Sequence, residues 1–291
     1  MEVTVSTDKL VVEYKDIPQW YFLRWYMGLL SGGKYQIQET YGKLYCYQLH
    51  IERNNGAYLH LFYRNPNEKG SSLYTLRIET RPEYYEQFTD ELEDIRSKAS
   101  DVYFVNCDIA YDVLAPLDNV FVGSKDIRRE MNLYMGTRYF GEAHQRKQDG
   151  YCRVYDKQLG LWERHRIRLA GELTRIEIVY KPESRIPLTD IANHPPTQNR
   201  QYFASIVEDW TVLPAKQAER VRNWQVGENT YTRYIREKIK QLLADSSIDF
   251  DQLASEQWEA MLAKPCAAIL GRETVLRDST GMKWGSYPEV T

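Results

Sequence analysis

The stretch Tyr151-Cys152-Arg153-Val154-Tyr155-Asp156-Lys157 alternates polar and apolar side chains with a period of two. That period is typical of a β-strand whose two faces have different surroundings. On one face the strand would present Tyr155 between Arg153 and Lys157, with Tyr151 two residues before Arg153. A free phenol ionises only near pH ~10, so neighbouring cations are needed to favour the phenolate. We therefore predict Tyr155 as a nucleophile that attacks phosphate, assisted by Lys157; the plainer interpretation is a tyrosine that packs on a sheet.

A partner strand is predicted from Leu173-Thr174-Arg175-Ile176-Glu177-Ile178-Val179, which has the same period. Arg175 and Glu177 share one face of it. This strand would bring a carboxylate and a further cation to the polar face that holds Tyr155. Arg153 and Arg175 are then expected to bind phosphate groups.

The chain before Asp101 predicts a sheet with helices. Asn54-Asn55-Gly56 contains the Asn-Gly pair that favours a tight hairpin between two strands. Pro82 suits the first turn of a helix. The predicted strands are Asp8–Tyr14, Leu44–Arg53, Ala57–Arg64 and Leu73–Thr80, and the predicted helices are Ile17–Leu30 and Pro82 to about Lys98.

The same order of elements restarts after Asp101, which indicates an internal duplication. Leu73–Glu83 resembles Leu173–Glu183, and Gly56–Arg64 resembles Gly150–Asp156. The predicted strands are Val102–Leu114, Arg138–Glu142, Tyr151–Gln158 and Leu173–Lys181, with a helix at Lys125–Met135. We predict an α+β fold in which a duplicated β-α-β-β-β unit forms an antiparallel-rich curved sheet. In the first copy Tyr63 shares its face with leucines, so we expect it in the core.

A helical C-terminal region is predicted after a proline-rich linker at 186–200. We expect residues 1–185 to form the catalytic domain, 201–275 the helical region and 276–291 a tail. Arg233 and Arg236 lie in a basic stretch that would either contact DNA phosphates or only face solvent. The predicted helices are Tyr202–Trp210, Ala215–Gln225, Tyr231–Ala244 and Phe250–Ala263.

Composition excludes several classes of protein. Lys and Arg number 38 against 41 Asp and Glu, so no global positive charge indicates nucleic-acid binding and any such role needs local patches. The four cysteines show no zinc or disulfide spacing. No apolar run approaches the ~18 residues needed to span a membrane, and we expect a cytoplasmic protein without a membrane partner.

Two acidic residues on one predicted strand indicate a metal site. Asp108 and Asp112 share a face and would repel each other without a positive neighbour. Mg²⁺ or Mn²⁺ would satisfy both, with Glu177 as a third oxygen ligand. Ion pairs with Arg153 or Arg175 are the alternative. No phosphate-binding Gly-x-x-x-x-Gly-Lys loop occurs, which argues against ATP-driven work.

These segments resemble the replication initiation factor family (Rep_trans), which includes initiators of staphylococcal-type rolling-circle plasmids and relaxases of some integrative elements. The resemblance implies site-specific nicking of origin DNA, a 5′-phosphotyrosyl link at Tyr155, a divalent metal at Asp108 and Glu177, a homodimer and a host helicase partner. Asn106 and Gly160 depart from the family pattern, which often has Arg and Glu there. The matching motifs are Asp108-Ile109-Ala110-Tyr111-Asp112, Tyr139-Phe140-Gly141, Arg153-Val154-Tyr155-Asp156-Lys157 and Arg175-Ile176-Glu177.

The sequence thus predicts a plasmid replication initiator that nicks and rejoins DNA. Three alternatives remain open: a relaxase of an integrative conjugative element, a non-catalytic origin-binding regulator on the same fold, and an aromatic-rich sheet that binds RNA or single strands. The 23 tyrosines fit either sheet packing or stacking on bases.

Overall fold

A computed structural model of the chain describes residues 2–40, 44–65, 72–129, 131–166, 171–227 and 231–271. These residues form two compact units. Of the described residues, the N-terminal unit comprises those within Thr7–Cys107, Pro182–Pro195 and 258–271. The central unit comprises those within 2–6, Asp108–Lys181 and Pro196–Gln257. The domain limits expected from the sequence stay a prediction, and the tail at 276–291 lies outside the described residues.

The described chain contains fourteen strands and seven α-helices, most of the strands in two consecutive runs. The first elements are β1 (Val3–Pro18), α1 (Gln19–Ser31), β2 (Gln36–Glu39), β3 (Tyr47–Glu52), β4 (Tyr58–Tyr63), β5 (Leu73–Thr80), α2 (Pro82–Tyr85) and α3 (Thr89–Arg96). There follow β6 (Val102–Val113), β7 (Val120–Ser124), β8 (Met131–Tyr134), β9 (Thr137–Phe140), β10 (Cys152–Asp156), α4 (Lys157–His165), β11 (Thr174–Tyr180) and β12 (Ile186–Pro187). The last are β13 (Tyr202–Ile206), α5 (Ala215–Gln225), α6 (Arg233–Leu242), β14 (Ser247–Ile248) and α7 (Phe250–Leu270).

In the N-terminal unit, antiparallel pairing gives the strand order β2-β3-β4-β5-β1. Alternation along β4 directs Leu61 and Tyr63 into the core, and the Phe22 ring of α1 stacks on Tyr63 with centroids 3.9 Å apart. The Tyr63 hydroxyl donates a 2.8 Å hydrogen bond to the Ile17 carbonyl. The prediction that Tyr63 is a core residue is therefore confirmed.

The central unit has the corresponding order β8-β9-β10-β11, with β6 beside β11. In both units the first long strand, β1 or β6, thus lies next to the strand that holds the Arg-x-Glu pattern, β5 or β11, which supports the predicted duplication. A second, three-stranded sheet of order β14-β13-β7 also belongs to this unit. Phe121 of β7 packs there with Val221 and Trp224 of α5, with Ile239 of α6, and with Val207 and Leu243, which follow β13 and α6. The predicted α+β class with antiparallel sheet and C-terminal helices is confirmed.

Two predicted helices are wrong, and one predicted strand ends earlier than expected. The predicted helix Lys125–Met135 is instead a turn followed by β8. The turn starts where β7 ends, because the Lys125 N–H there donates a hydrogen bond to the Gln201 carbonyl. The predicted helix Tyr202–Trp210 is β13, whose apolar run pairs on both sides with β7 and β14. The predicted strand Tyr151–Gln158 stops at Asp156, whose carboxylate caps α4 by accepting the Leu159 N–H.

Among the described residues, no helix is both long and apolar enough to cross a membrane.

The faces of β4 can be tested by a pair of neighbouring substitutions. Leu61→Ala should lower the free energy of unfolding by about 3 kcal/mol, because Leu61 is 1% exposed and its loss leaves a cavity. Phe62→Ala should cost about 1 kcal/mol, because Phe62 is half-buried on the opposite face. Urea unfolding of both variants measures the difference; equal costs would contradict the assignment of Phe62 to an outer face.

Candidate active site

The antiparallel register of β10 and β11 brings the predicted site residues together within the central unit. Arg153 lies opposite Glu177, and Tyr155 lies opposite Arg175. On the other side of β10, Arg153 lies opposite Tyr139 of β9. The polar face predicted from two separate stretches of sequence is therefore one continuous surface.

Glu177 is the direct partner of Tyr155. The Tyr155 hydroxyl donates a 2.5 Å hydrogen bond to Glu177 Oε1, and Arg153 Nη2 bonds Glu177 Oε2. Glu177 is 3% exposed, and these two bonds give each of its carboxylate oxygens a partner inside the protein. Burial is the largest cause that raises the pKa of Tyr155; the charge of Glu177 and its hydrogen bond raise it further, whereas Arg175 and Arg153 lower it. The resting phenol is therefore neutral, with its proton directed at a carboxylate.

Asp112 is the centre of a second group of charges. Arg175 Nε donates to Asp112 Oδ1 over 2.7 Å, and Lys157 Nζ lies 2.6 Å from Asp112 Oδ2. Burial would raise the pKa of Asp112, but the hydrogen bonds and charges of Arg175 and Lys157 outweigh it and hold the pKa below its ordinary value. Lys157 is the first residue of α4, so the helix that begins after Tyr155 supplies this cation.

The three predicted metal ligands do not form a metal-binding group. Asp108 is buried on β6, Asp112 is held by two cations, and Glu177 is held by Arg153 and Tyr155. Throughout the part of the chain that the structure describes, no three His, Cys, Asp or Glu side chains are grouped to hold a metal. The ion-pair alternative therefore accounts for Asp112 and Glu177, and a bound Mg²⁺ or Mn²⁺ would have to displace these cations.

A cleft of about 420 Å³ opens beside Tyr155. It is lined by the tip of the β8–β9 hairpin and by the first turn of α4, including Met135 and Leu159. Met135 is 85% exposed and has φ 46°, and with Gly136 (φ 72°) it forms a two-residue turn of the primed type. No sequence pattern predicted that these residues line a cleft, although Asp156, a favoured N-cap residue, was a signal that α4 begins there.

The two C-terminal arginines have different surroundings. Arg233 is exposed on α6, whereas Arg236 is buried, with its guanidinium 5.1 Å from the Trp224 ring and its Nε donating to the Tyr231 carbonyl. Burial lowers the pKa of Arg236. Arg236 thus serves the packing of α6, and its predicted contact with DNA has no support in this geometry.

No protein-family model and no curated protein matches this chain. Among solved structures, the chain is similar to the rolling circle replication initiator protein from Geobacillus stearothermophilus. The similarity has 13% sequence identity and a TM-score of 0.38, and it covers 84% of this chain and 97% of that chain.

The influence of Glu177 on Tyr155 can be measured directly. Glu177→Gln should lower the pKa of Tyr155, because it removes a negative charge that disfavours the phenolate and leaves Arg153 beside the phenol. NMR titration of tyrosine labelled at the ζ carbon measures the shift, with Tyr155→Phe identifying the signal. An unchanged or higher pKa in Glu177→Gln would contradict the hydrogen bond.

The Asp112 ion pairs predict a dependence of stability on pH. Because the folded pKa of Asp112 is depressed, its contribution is present above the unfolded value of about 3.9 and is lost as the pH falls through the folded value. Asp112→Asn should therefore destabilise the protein by about 3 kcal/mol at neutral pH, since it leaves Arg175 and Lys157 without their anion. The difference from the parent should shrink below about pH 4; a difference that is constant with pH would contradict the ion pairs.

Proposed function

We propose that this chain is a replication initiator that nicks and rejoins DNA through Tyr155, as its resemblance to the replication initiation factor family implies. One set of observations carries the proposal: the Tyr155 hydroxyl donates to the buried Glu177 carboxylate, two arginines lie close enough to lower its pKa, and Tyr155 lines a cleft. A structural tyrosine needs only one hydrogen-bond acceptor. A nucleophilic tyrosine also needs a proton acceptor, groups that stabilise the phosphate charge, and access for the substrate.

The chemistry can be written from these residues. As the Tyr155 oxygen forms a bond to phosphorus, its proton passes to Glu177, with which it already shares a hydrogen bond. The bond from phosphorus to the 3′ oxygen breaks, and that oxygen takes up a proton. The products are a 5′-phosphotyrosyl link and a free 3′ hydroxyl, and the reverse reaction rejoins the strand. Arg153, Arg175 and Lys157 would stabilise the negative phosphate oxygens.

The proposed substrate is a single-stranded segment within origin DNA. A nucleotide next to the scissile phosphate would occupy the cleft between Met135 and Leu159, because that cleft adjoins Tyr155 and is large enough for a base. The proposal includes a host helicase and a homodimer, as the family resemblance implies, together with a cytoplasmic location. Mg²⁺ or Mn²⁺ remains part of the proposal as a requirement to be tested by chelation, and no step above depends on it.

One observation favours a second function, that of a non-catalytic DNA-binding regulator. The raised pKa of Tyr155 keeps its phenol neutral, as in a tyrosine that serves only structure. A regulator on this fold would bind origin DNA without ever forming a covalent bond to it. Covalent capture of DNA therefore separates the two functions.

Tyr155→Phe should abolish the covalent adduct with a radiolabelled oligonucleotide while leaving the folded structure intact, because it removes only the attacking oxygen. Adducts are detected by denaturing electrophoresis after incubation with Mn²⁺, and in parallel with EDTA. Tyr139→Phe is the matched control, since Tyr139 lies on the same face opposite Arg153 and should keep the adduct. An adduct that persists in Tyr155→Phe would place the nucleophile elsewhere, with Tyr151 the next residue to test.

A further inference from the structure

The N-terminal unit repeats the frame of the active site with different side chains. Arg77 and Glu79 of β5 occupy the same Arg-x-Glu pattern as Arg175 and Glu177 of β11. Opposite them on β4, Phe62 pairs with Arg77 and His60 pairs with Glu79. By register, Phe62 is the counterpart of Tyr155, and His60 is the counterpart of Arg153.

The acidic partner is also repeated. Glu13 of β1 lies opposite Arg77 and accepts two hydrogen bonds from Arg185, of 3.0 and 3.1 Å. Arg77 in turn lies 2.9 Å from Glu79. The ionic part of the frame is thus retained, whereas the attacking hydroxyl is absent because a phenylalanine stands in its place.

A band of half-exposed aromatic rings covers the outer face of this sheet. His50 lies 4.6 Å from His60 and 5.5 Å from Tyr58, and Tyr58 lies 5.4 Å from Tyr84, between ring centroids. The aromatic band consists of Tyr45, His50, Tyr58, His60, Phe62 and Tyr84. The Arg81 guanidinium lies 5.9 Å from the Tyr84 ring and is 45% exposed. Its ion pair with Glu83, at 3.7 Å, is also exposed, and such surface pairs contribute little, so the band ends beside a cation that a phosphate can reach.

We propose that the aromatic band is a second binding site for single-stranded DNA, which holds a strand without cleaving it. Sheets with half-exposed aromatic side chains bind unpaired bases by stacking, and every base has a face that can stack. The charges around Arg77 and Glu13 are already paired, so stacking would provide the affinity and Arg81 would contact a phosphate. The choice of DNA over RNA rests on the proposed function of Tyr155; the choice of a single strand rests on the rings.

Photocrosslinking of the unmodified protein tests the site without any substitution. A bromodeoxyuridine-substituted oligodeoxynucleotide should crosslink to peptides that contain His60, Phe62 and Tyr58, besides those near Tyr155. Crosslinks confined to peptides of the central unit would overturn the proposal. Adduct formation at Tyr155 is scored in the same protein, so a missing adduct with crosslinked band peptides would reject the nicking function alone.

Binding measurements provide the second test, in a Tyr155→Phe background that prevents covalent capture. His60→Ala and Phe62→Ala should each weaken binding of a fluorescent oligothymidylate by about tenfold, the typical effect of losing one stacking ring. Gln48→Ala is the matched control: Gln48 lies opposite Phe62, is half-buried and has no ring. Unchanged affinity in both ring variants would overturn the site, and tighter binding of oligouridylate than of oligothymidylate would overturn its assignment to DNA.

Discussion

The pairing of β10 with β11 determines the surroundings of Tyr155. Side chains alternate between the two faces of a strand, so a slip of one residue in this register would move Tyr155 from the polar face to the core face. It would also separate Arg153 from Glu177, which lie directly opposite each other. Correct register is maintained by the buried neighbours Val154 and Ile176 on the other face, both of them fully buried. The apolar face of the sheet thus positions the chemistry of the polar face.

The duplicated strand order shows how one frame can hold two kinds of surface. Both units retain an arginine and a glutamate two residues apart, on β5 and on β11. In each unit the arginine lies opposite a ring on the neighbouring strand. In the central unit the ring carries a hydroxyl and the flanking residue is Arg153. In the N-terminal unit the ring is Phe62 and the flanking residue is His60. A change of two side chains therefore distinguishes the surface proposed to react from the surface proposed only to bind.

Local patterns in the sequence predicted the strands that hold the site, because period-two alternation in β10 and β11 is a local signal. The hairpin at Asn54–Gly56 was predicted for the same reason, and Gly56 takes the positive φ of 83° that such a turn needs. β7 and β13 were not predicted, since short apolar runs do not distinguish a strand from a helix and these two strands pair across a long stretch of chain.

The sequence also did not decide whether Asp112 is paired with cationic side chains or with a metal ion. Two carboxylates on one strand fit a metal ion and an ion pair equally well until the register of the neighbouring strands is known. The alignment of the two copies by sequence was likewise loose and matched Tyr63 with Tyr155. The strand pairing shows that Phe62 is the residue that corresponds to Tyr155. Register, which depends on contacts distant in sequence, was the missing information in both cases.

The position of β10 inside its sheet has a mechanical consequence. β10 has hydrogen-bonded neighbours on both edges, β9 and β11. Antiparallel hydrogen bonds lie perpendicular to the strands, so a pull along β10 loads the bonds of both edges together, in shear. A DNA strand attached to Tyr155, as proposed, would apply such a pull when drawn away in the direction of β10. The tension would then be shared by two ladders of hydrogen bonds. At an edge strand, only one ladder would carry it.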